Sequence, residues 1–462
     1  ELDAILRHLD EAGIARGGRV VIANSDKKAF IVAMLGVMSA GAVAVPVVGE
    51  SAAAIVDIAD HTDAELMLHD GEDEDLFGDL PRQRYPFTSD AATGDAVHLH
   101  SDIADPAVIL FTSGTQSHRK GVVLSHANLN ATGDYLNRFL YVDPDIREYV
   151  IAPPFHAFGF GRVRSVLMAG GTVVFDAGEF NALRAIRGIE TYACNSLSCV
   201  SATIILLVKK FRGRTESFAQ NIRWMEIGSQ PMQRDQKKLI CDTFASARTA
   251  FNYGMTEASR STLIDFNQER SRLDSSGRAA PGTELRICDE QRQLMTTGKL
   301  GVIEMRGPHI ALGYWRDDTL WAKACVDGWF RSDDVGYMDN EGYLYYVGRS
   351  DDLLNVGGEI VAPTDLEYAL RQRLGDEEFI ILGESDRIRG EVPVICFERS
   401  DATNLEWPEL MKTLIGAVPN KFLPRKGYVA PQFPRTAVGK IKRAQLRNQI
   451  KFGELTEIER TN

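Results

Sequence analysis

The chain has 462 residues, with 52 Lys and Arg against 64 Asp and Glu, a formal charge of −12. At about 150 residues per domain this length holds roughly three folding units, or one large unit and a smaller one, and the acidic balance sets aside a nucleic-acid backbone as a general partner. Hydrophobic residues at 44% and charged residues at 25% fit a globular chain and exclude disordered, collagen-like and membrane-protein compositions.

The opening ELDAILRHLDEAG reads as a charged helix rather than a signal sequence, and no stretch nears eighteen apolar residues, so no integral membrane association is expected. The first residue is Glu1, consistent with a natural start lying upstream. RVVIA at residues 19–23 predicts a buried strand, residues 30–41 a helix, and AVAVPVV at 42–48 a second strand, the βαβ alternation of a parallel sheet. The acidic run at residues 71–79 has little to bury and reads as a solvated loop. AVILF at 107–111 predicts a strand running straight into TSGTQSHRKG, and TVVF at 172–175 predicts another. The large body is expected to extend to residue 349. Between 313 and 348 Gly, Asp and aromatic residues crowd into turns, where a smaller final domain is expected to begin. Cys194, Cys199, Cys241, Cys288, Cys325 and Cys396 form no CxxC pair and no zinc spacing, so a reducing, cytoplasmic setting is expected. From residue 411 to 453 there are ten basic residues and no acid. From charge alone, a bound polyanion and a basic face balancing the acidic chain before it are equal readings.

Four clusters carry candidate chemistry. Thr112, Ser113, Gly114, Thr115, Gln116, Ser117, His118, Arg119, Lys120 and Gly121 follow a strand and gather hydroxyls, backbone N–H groups and cations, which phosphate oxygens require. The loop is not the Walker pattern, because Lys120 is followed by Gly121 and Val122; an ordinary turn is the alternative. Asn252, Tyr253, Gly254, Met255, Thr256 and Glu257 set an aromatic face, a hydroxyl and a carboxylate within six residues. The carboxylate suits Mg²⁺, which prefers oxygen ligands, though read alone the cluster is better explained as a Tyr-Gly turn before a surface acid. Arg331 to Gly336 and Gly348 to Asp352 offer a carboxylate for ribose hydroxyls and an Arg to close over them, or else two charged turns. Finally Lys440 follows Gly439 in PRTAVGKIKR, where an ammonium could neutralise charge growing on a phosphoryl group.

Taken together and in this order, with MSAGAVAVPVV, PPFHAFGF, IGSQPM, GVIEMRG, ALGYW and YVGRSDDLLNVGGEIV between them, the clusters resemble the adenylate-forming superfamily of acyl-CoA synthetases, aryl-CoA ligases, peptide-synthetase adenylation domains and luciferases. The resemblance covers essentially the whole chain, with only the extreme N-terminus shortened. It implies an α/β fold with a large N-terminal body of stacked mixed sheets and flanking helices (residues 1–349), plus a small mobile α+β C-terminal domain (350–462). It implies that a carboxylate attacks the α-phosphate of ATP, releasing pyrophosphate, and that a thiol then displaces AMP. By motif, Thr112, Ser113, Gly114, Thr115 and Lys120 would cradle the β- and γ-phosphates, Thr256 would contact the α-phosphate, and Glu257 would serve Mg²⁺. Gly228, Ser229 and Gln230 would lie along the adenine, Tyr253 would stack on it, and Asp334 with Arg349 would hold the ribose. Lys440 would be the catalytic lysine, His156 would gate or line the acyl site, Asp351 would be the hinge, and Gly357 and Gly358 would enter the thiol channel.

Departures from the family pattern qualify the loop: Gln116, Ser117 and Arg119 replace a threonine, a glycine and a proline, and Ser117 costs flexibility while Arg119 adds a phosphate-seeking cation. Asn252 stands near the expected acyl pocket. The helix after FHAFGF lacks the acid that would hold an amine, which disfavours amino-acid substrates. Arg162 and Arg164 on that helix are read as surface or structural residues, with at most one facing inward toward an anionic substrate. The expected enzyme is an acid:thiol ligase using ATP, Mg²⁺ and coenzyme A on a small neutral acid, fatty or aromatic. The alternative acceptor is the phosphopantetheine arm of an acyl carrier protein. A luciferase-like oxygenase and a noncatalytic nucleotide binder are the remaining classes; retention of Thr256, Glu257, Asp334, Arg349 and Lys440 argues against the latter.

Overall fold

The structure, a computed structural model, describes residues 1–70, 81–84, 102–112, 119–178, 180–228, 232–375, 377–400, 405–435 and 441–459. The acidic run at 71–79 lies outside them, as do Ser113, Gly114, Thr115, Gln116, Ser117, His118, Ser229, Gln230, Gly439 and Lys440.

Short β-branched runs build two seven-stranded sheets. The first orders Gly313–Tyr314, Lys120–Ser125, Pro106–Thr112, Val43–Pro46, Arg19–Ile22, Leu66–His69 and Arg82–Arg84. Its centre is parallel, with Val20 opposite Ala44 and Leu66, as the βαβ reading anticipates. The second orders Arg278–Ala279, Thr262–Asp265, Arg248–Phe251, Trp224–Gly228, Ser196–Val200, Arg147–Val150 and Thr172–Val174.

Between the sheets lie the helices Lys27–Ser39, His126–Leu140 and Ala157–Met168. One core joins Val20, Ile22, Ala44 and Val122 of the first sheet to Phe30, Phe160 and Val163 of these helices. Another joins Tyr135, Leu136 and Val166 to Trp224, Ala250 and Leu263 of the second sheet. The middle layer is therefore covered on both sides, and a helix there is buried nearly all round rather than along one stripe. Helix Ala52–Thr62 covers the outer face of the first sheet. Helices Ala182–Thr191, Ser201–Lys210, Arg212–Ala219 and Arg234–Thr243 cover that of the second. The packing is tight enough to dictate a glycine within a helix: a Cβ on Gly36 would sit 2.6 Å from Ile5 Cγ2 of helix Leu2–Glu11.

A third sheet orders Glu284–Cys288, Gly301–Arg306, Trp329–Met338 and Cys325–Val326, with Leu344–Arg349 paired to Trp329–Met338. The Gly- and aromatic-rich segment before residue 349 thus belongs to the large body; its strand Gly313–Tyr314 even extends the first sheet. From Leu354 onward the named strands pair among themselves in a six-stranded sheet, carrying helices Pro363–Leu374, Trp407–Leu414 and Arg443–Lys451. The basic stretch of this region is largely neutralised by acids earlier in the same region. Lys412 pairs with Glu409, Lys421 with Glu359, Lys426 with Glu384, Arg435 with Glu398, Arg443 with Glu367 and Arg447 with Asp352. Of the two charge readings, the balancing one is what these pairs support.

Candidate active site

Strands Trp224–Gly228 and Arg248–Phe251 run parallel side by side, and the chain leaving their C-terminal ends carries Gly228 and the Asn252 to Glu257 cluster. A crevice outside the C-terminal ends of parallel strands is where open α/β sheets bind ligands. Gly228 is there because of its neighbour: a Cβ would meet Phe158 Cε2 at 2.6 Å.

The third sheet delivers the ribose candidates to the same place. Asp334 and Arg349 are opposed residues on the antiparallel strands Trp329–Met338 and Leu344–Arg349, and the Tyr253 hydroxyl donates to Asp334 Oδ2 at 2.8 Å. Tyr253 is buried, and its ring leans on Tyr346 with centroids 5.7 Å apart. Burial pushes the Asp334 carboxyl up to about 6, although the Tyr253 hydrogen bond and Arg349 pull the other way. Arg349 itself bonds Asp333 Oδ2 and Asp351 Oδ1, each at 3.1 Å, not Asp334. The side chain that closes over the sugar in the resemblance is here held by the residue expected to be the hinge.

A second convergence surrounds Glu257. The Tyr314 hydroxyl donates to Glu257 Oε1 at 3.0 Å, and the Lys120 ammonium stands 5.3 Å from the Tyr314 ring centroid. Thr112 and Lys120 face each other at the end of the hairpin Pro106–Thr112 and Lys120–Ser125, so the two described ends of the candidate phosphate loop are fixed. Trp315 N–H donates to Gly121 O at 2.7 Å, tying Tyr314 to that hairpin. The hairpin's exit is also anchored. Ser125 Oγ accepts from Asn128 N–H, Asn128 Oδ1 accepts from Ser125 N–H, and Asn128 Nδ2 donates to the carbonyls of Pro308 and Ile310, both at 2.8 Å. Arg119 differs from expectation: its guanidinium is in an ion pair with Glu50 at 2.7 Å.

Among the described residues no group of three or more His, Cys, Asp or Glu could enclose a metal. A single half-buried carboxylate, Glu257, fits Mg²⁺ that takes most of its ligands from phosphate and water oxygens. Thr256 precedes it, half-buried. His156 occupies the N-cap position of helix Ala157–Met168 without a side-chain capping bond. Gly357 and Gly358 form the two-residue turn between Leu354–Val356 and Glu359–Val361, with φ of 64° and 87°. Two successive positive φ values define the hairpin turn that favours glycine at both positions.

Arg162 and Arg164 are not surface residues; they are 0% and 5% exposed, because their helix lies in the middle layer. Arg162 is structural. It bonds Glu148 Oε2 at 2.8 Å and Glu226 Oε2 at 3.3 Å, and lies 4.5 Å from the centroid of the Trp224 ring. Asn252, expected to touch substrate, donates instead to Glu226 Oε1 at 2.7 Å, and Arg260 Nε donates to the same oxygen at 2.7 Å. Tyr314 lies in ALGYW, whose residues carry no assigned role, and Glu148, Glu226 and Arg260 carry no motif at all. They were legible only as charged or polar residues inside apolar strands or next to a motif.

The AMP-binding enzyme family profile matches residues 2–315. Feruloyl-CoA synthase of an Amycolatopsis species is 27% identical over 457 residues, spanning 96% of this chain and 91% of that protein. The 2-succinylbenzoate–CoA ligase of Listeria innocua is 29% identical over 356 residues, 75% of this chain and 71% of that protein. Among solved structures, ATP-bound MatB from Rhodopseudomonas palustris shares the fold with a TM-score of 0.85 at 23% identity, covering 97% of this chain and 92% of that one. The chain belongs to the AMP-binding enzyme family, as an acyl-CoA synthetase-like, AMP-forming ligase.

Proposed function

We propose that the protein joins a small carboxylic acid, aromatic or fatty, to coenzyme A in two steps at one site, using ATP and Mg²⁺. The observation that carries the reading is the meeting of three sequence-distant clusters: Tyr253 on Asp334 at 2.8 Å, and Glu257 on Tyr314 beside Lys120. The names of the relatives, which are CoA ligases acting on aromatic acids, support the acid and the acceptor.

In this reading Tyr253 stacks on adenine beside Gly228, Ser229 and Gln230, and ionised Asp334 accepts the ribose hydroxyls. Thr112 and Lys120, with Ser113, Gly114 and Thr115, bind the β- and γ-phosphates, and Thr256 binds the α-phosphate. Mg²⁺ held at Glu257 would supply charge neutralisation on the phosphate oxygens. The acid's carboxylate oxygen attacks the α-phosphorus and pyrophosphate leaves, with Lys440 neutralising the growing charge. The thiol sulfur then attacks the acyl carbon and AMP leaves. Residues 350–462 act as a lid that turns at Asp351, exchanging Lys440 for the Gly357 and Gly358 turn. His156 lines the acyl site. Six unbridged cysteines, five of them buried, fit a cytoplasmic enzyme.

The test is acid-dependent pyrophosphate release, with hydroxylamine as neutral acceptor, across fatty, aromatic, dicarboxylic and amino acids. Release with one class of acid, followed by a thioester with coenzyme A, supports the reading. ATP binding without release from any acid refutes it, and salt-sensitive transfer to a carrier protein but not to coenzyme A replaces the acceptor.

A further inference from the structure

The middle helical layer holds an uneven set of buried charges. Three guanidiniums, Arg162, Arg164 and Arg260, are 0%, 5% and 3% exposed, and among the described residues the carboxylates paired with them are two, Glu148 and Glu226. Glu148 and Glu226 are taken by Arg162 and Arg260. Arg164 is left with the Asn130 amide oxygen at 3.4 Å and the edge of a cation–π contact, 5.8 Å from the Phe160 centroid. Among the described residues no carboxylate pairs with it. An isolated buried cation is costly unless something neutralises it. Burial and the repulsion of Arg260 push the Arg164 guanidinium down to about 10. Beside it, His126 has a buried Nε2 with no hydrogen-bond partner, and its pKa is lowered by burial and by the charge of Arg164. Asp105 also acts on His126, but that carboxylate is bonded to Arg16 at 2.7 Å.

The uncompensated cation lies at the end of a chain of contacts leading away from the nucleotide candidates. Gly228 touches Phe158, the Arg260 guanidinium lies 5.1 Å from the Phe158 ring centroid and donates to the Phe158 carbonyl, and it abuts Gly161, where a Cβ would meet Arg260 Nη1 at 2.7 Å, with Arg164 one turn further along the same helix. The Arg260 loop is itself fixed, since the Tyr135 hydroxyl donates to the carbonyls of Ser259 and Arg260.

We propose that the acid activated here carries a second carboxylate, which passes Phe158 into this layer and is received by Arg164, with the field of Arg260 behind it. The inference rests on the acid:CoA ligase reading and narrows its substrate to dicarboxylic acids, replacing the neutral acid expected from sequence. A site built around a buried charge rejects an analogue that leaves the charge unpaired far more strongly than one built on shape alone.

The deciding experiment measures pyrophosphate release from matched pairs, straight-chain diacids and benzenedicarboxylic acids each against its monomethyl ester. At least one diacid is expected to exceed its ester by about 100-fold in kcat/KM. In Arg164→Gln that ratio falls at least about tenfold, with the loss on KM for the diacid. Equal use of diacid and ester in every pair overturns the proposal and leaves the ligase reading standing, as does a ratio unchanged in a folded Arg164→Gln. No release from any acid removes the ligase reading and the proposal with it. If Arg164→Gln does not fold, the wild-type ratio decides.

Discussion

Asp334 is held where its charge is costly. Its carboxyl has a folded pKa of about 6, raised by burial from 3.8, so the ionised form opposes folding above that value. The linkage has a definite sign: the free enzyme loses stability as pH rises from about 4 through 6, because the unfolded carboxyl ionises first. Asp334→Asn keeps an acceptor for the Tyr253 hydroxyl and removes the penalty. Thermal scans without nucleotide should therefore show the variant melting above wild type at pH 8, with the gap closing toward pH 5, while ATP affinity drops. A variant that melts lower at pH 8 contradicts this account. Lys440→Ala should abolish acid-dependent pyrophosphate release while ATP binding, followed by titration calorimetry, stays largely intact. Equal adenylate formation by mutant and parent removes the role assigned to that lysine. The roles proposed for Asp334 and Lys440 come from the sequence, because each residue sits in a motif. The buried carboxylates that hold Arg162 and Arg260 were not, since nothing in WMEIG or REYV distinguishes Glu226 or Glu148 from an exposed acid on a strand.

Strands and helices decide what those residues can reach. Arg162 bridges helix Ala157–Met168 to two strands of the second sheet through Glu148 and Glu226. Arg162→Met would strand the buried carboxylate of Glu148, while Glu226 keeps Arg260 and Asn252, and removing one partner of a buried pair costs about 3–5 kcal/mol. The expected result is a clearly lowered denaturant midpoint for the large body, and an unchanged midpoint would mean the ion pairs contribute nothing. Gly228→Ala forces a methyl against Phe158, and overpacking of this kind costs about 1–3 kcal/mol. Because Phe158 borders the proposed acyl site, the substitution should also raise KM for the acid more than KM for ATP. Similar rises for both place the effect elsewhere. The strands at 19–22, 43–46 and 106–112 were legible to within a residue or two, because short apolar β-branched runs between turn residues have few other uses. Helix Ala157–Met168 was legible as a helix but not as a buried one. A single sequence shows one apolar stripe and cannot show that a second sheet lies on the other side.

At the scale of the whole molecule, the body and the proposed lid meet at Arg349, Asp351 and Asp352. Arg349 bonds Asp351, and Arg447 of helix Arg443–Lys451 bonds the Asp351 carbonyl and Asp352. Tyr368 of helix Pro363–Leu374 also donates to Asp235 of the body at 2.6 Å. If rotation at Asp351 separates the half-reactions, fixing φ there with Asp351→Pro should slow thioester formation by about 100-fold and leave pyrophosphate release within about threefold, since proline removes one soft dihedral. Rapid-quench measurement of both steps checks this, and equal slowing of the two would mean the residue is not the hinge. The ten basic residues between 411 and 453 call for no polyanion by their number alone, because six of them are paired with acids of the C-terminal region. Charge read along the chain overstates charge left in space.

By itself the sequence determined the family, the α/β character and the candidate nucleotide residues, because glycine turns, hydroxyl-rich loops and strand-ending carboxylates are local requirements written in consecutive residues. It also set the number of guanidiniums on the helix at 157–168. Which of them would be neutralised was decided by the tertiary structure alone. Glu148 and Glu226 come from strands of the second sheet and bond Arg162, and Arg260 arrives from a loop a hundred residues away. Electrostatic balance inside a protein depends on distances of a few ångströms between groups far apart in the chain, so only the packed layers could leave Arg164 without a carboxylate among the described residues.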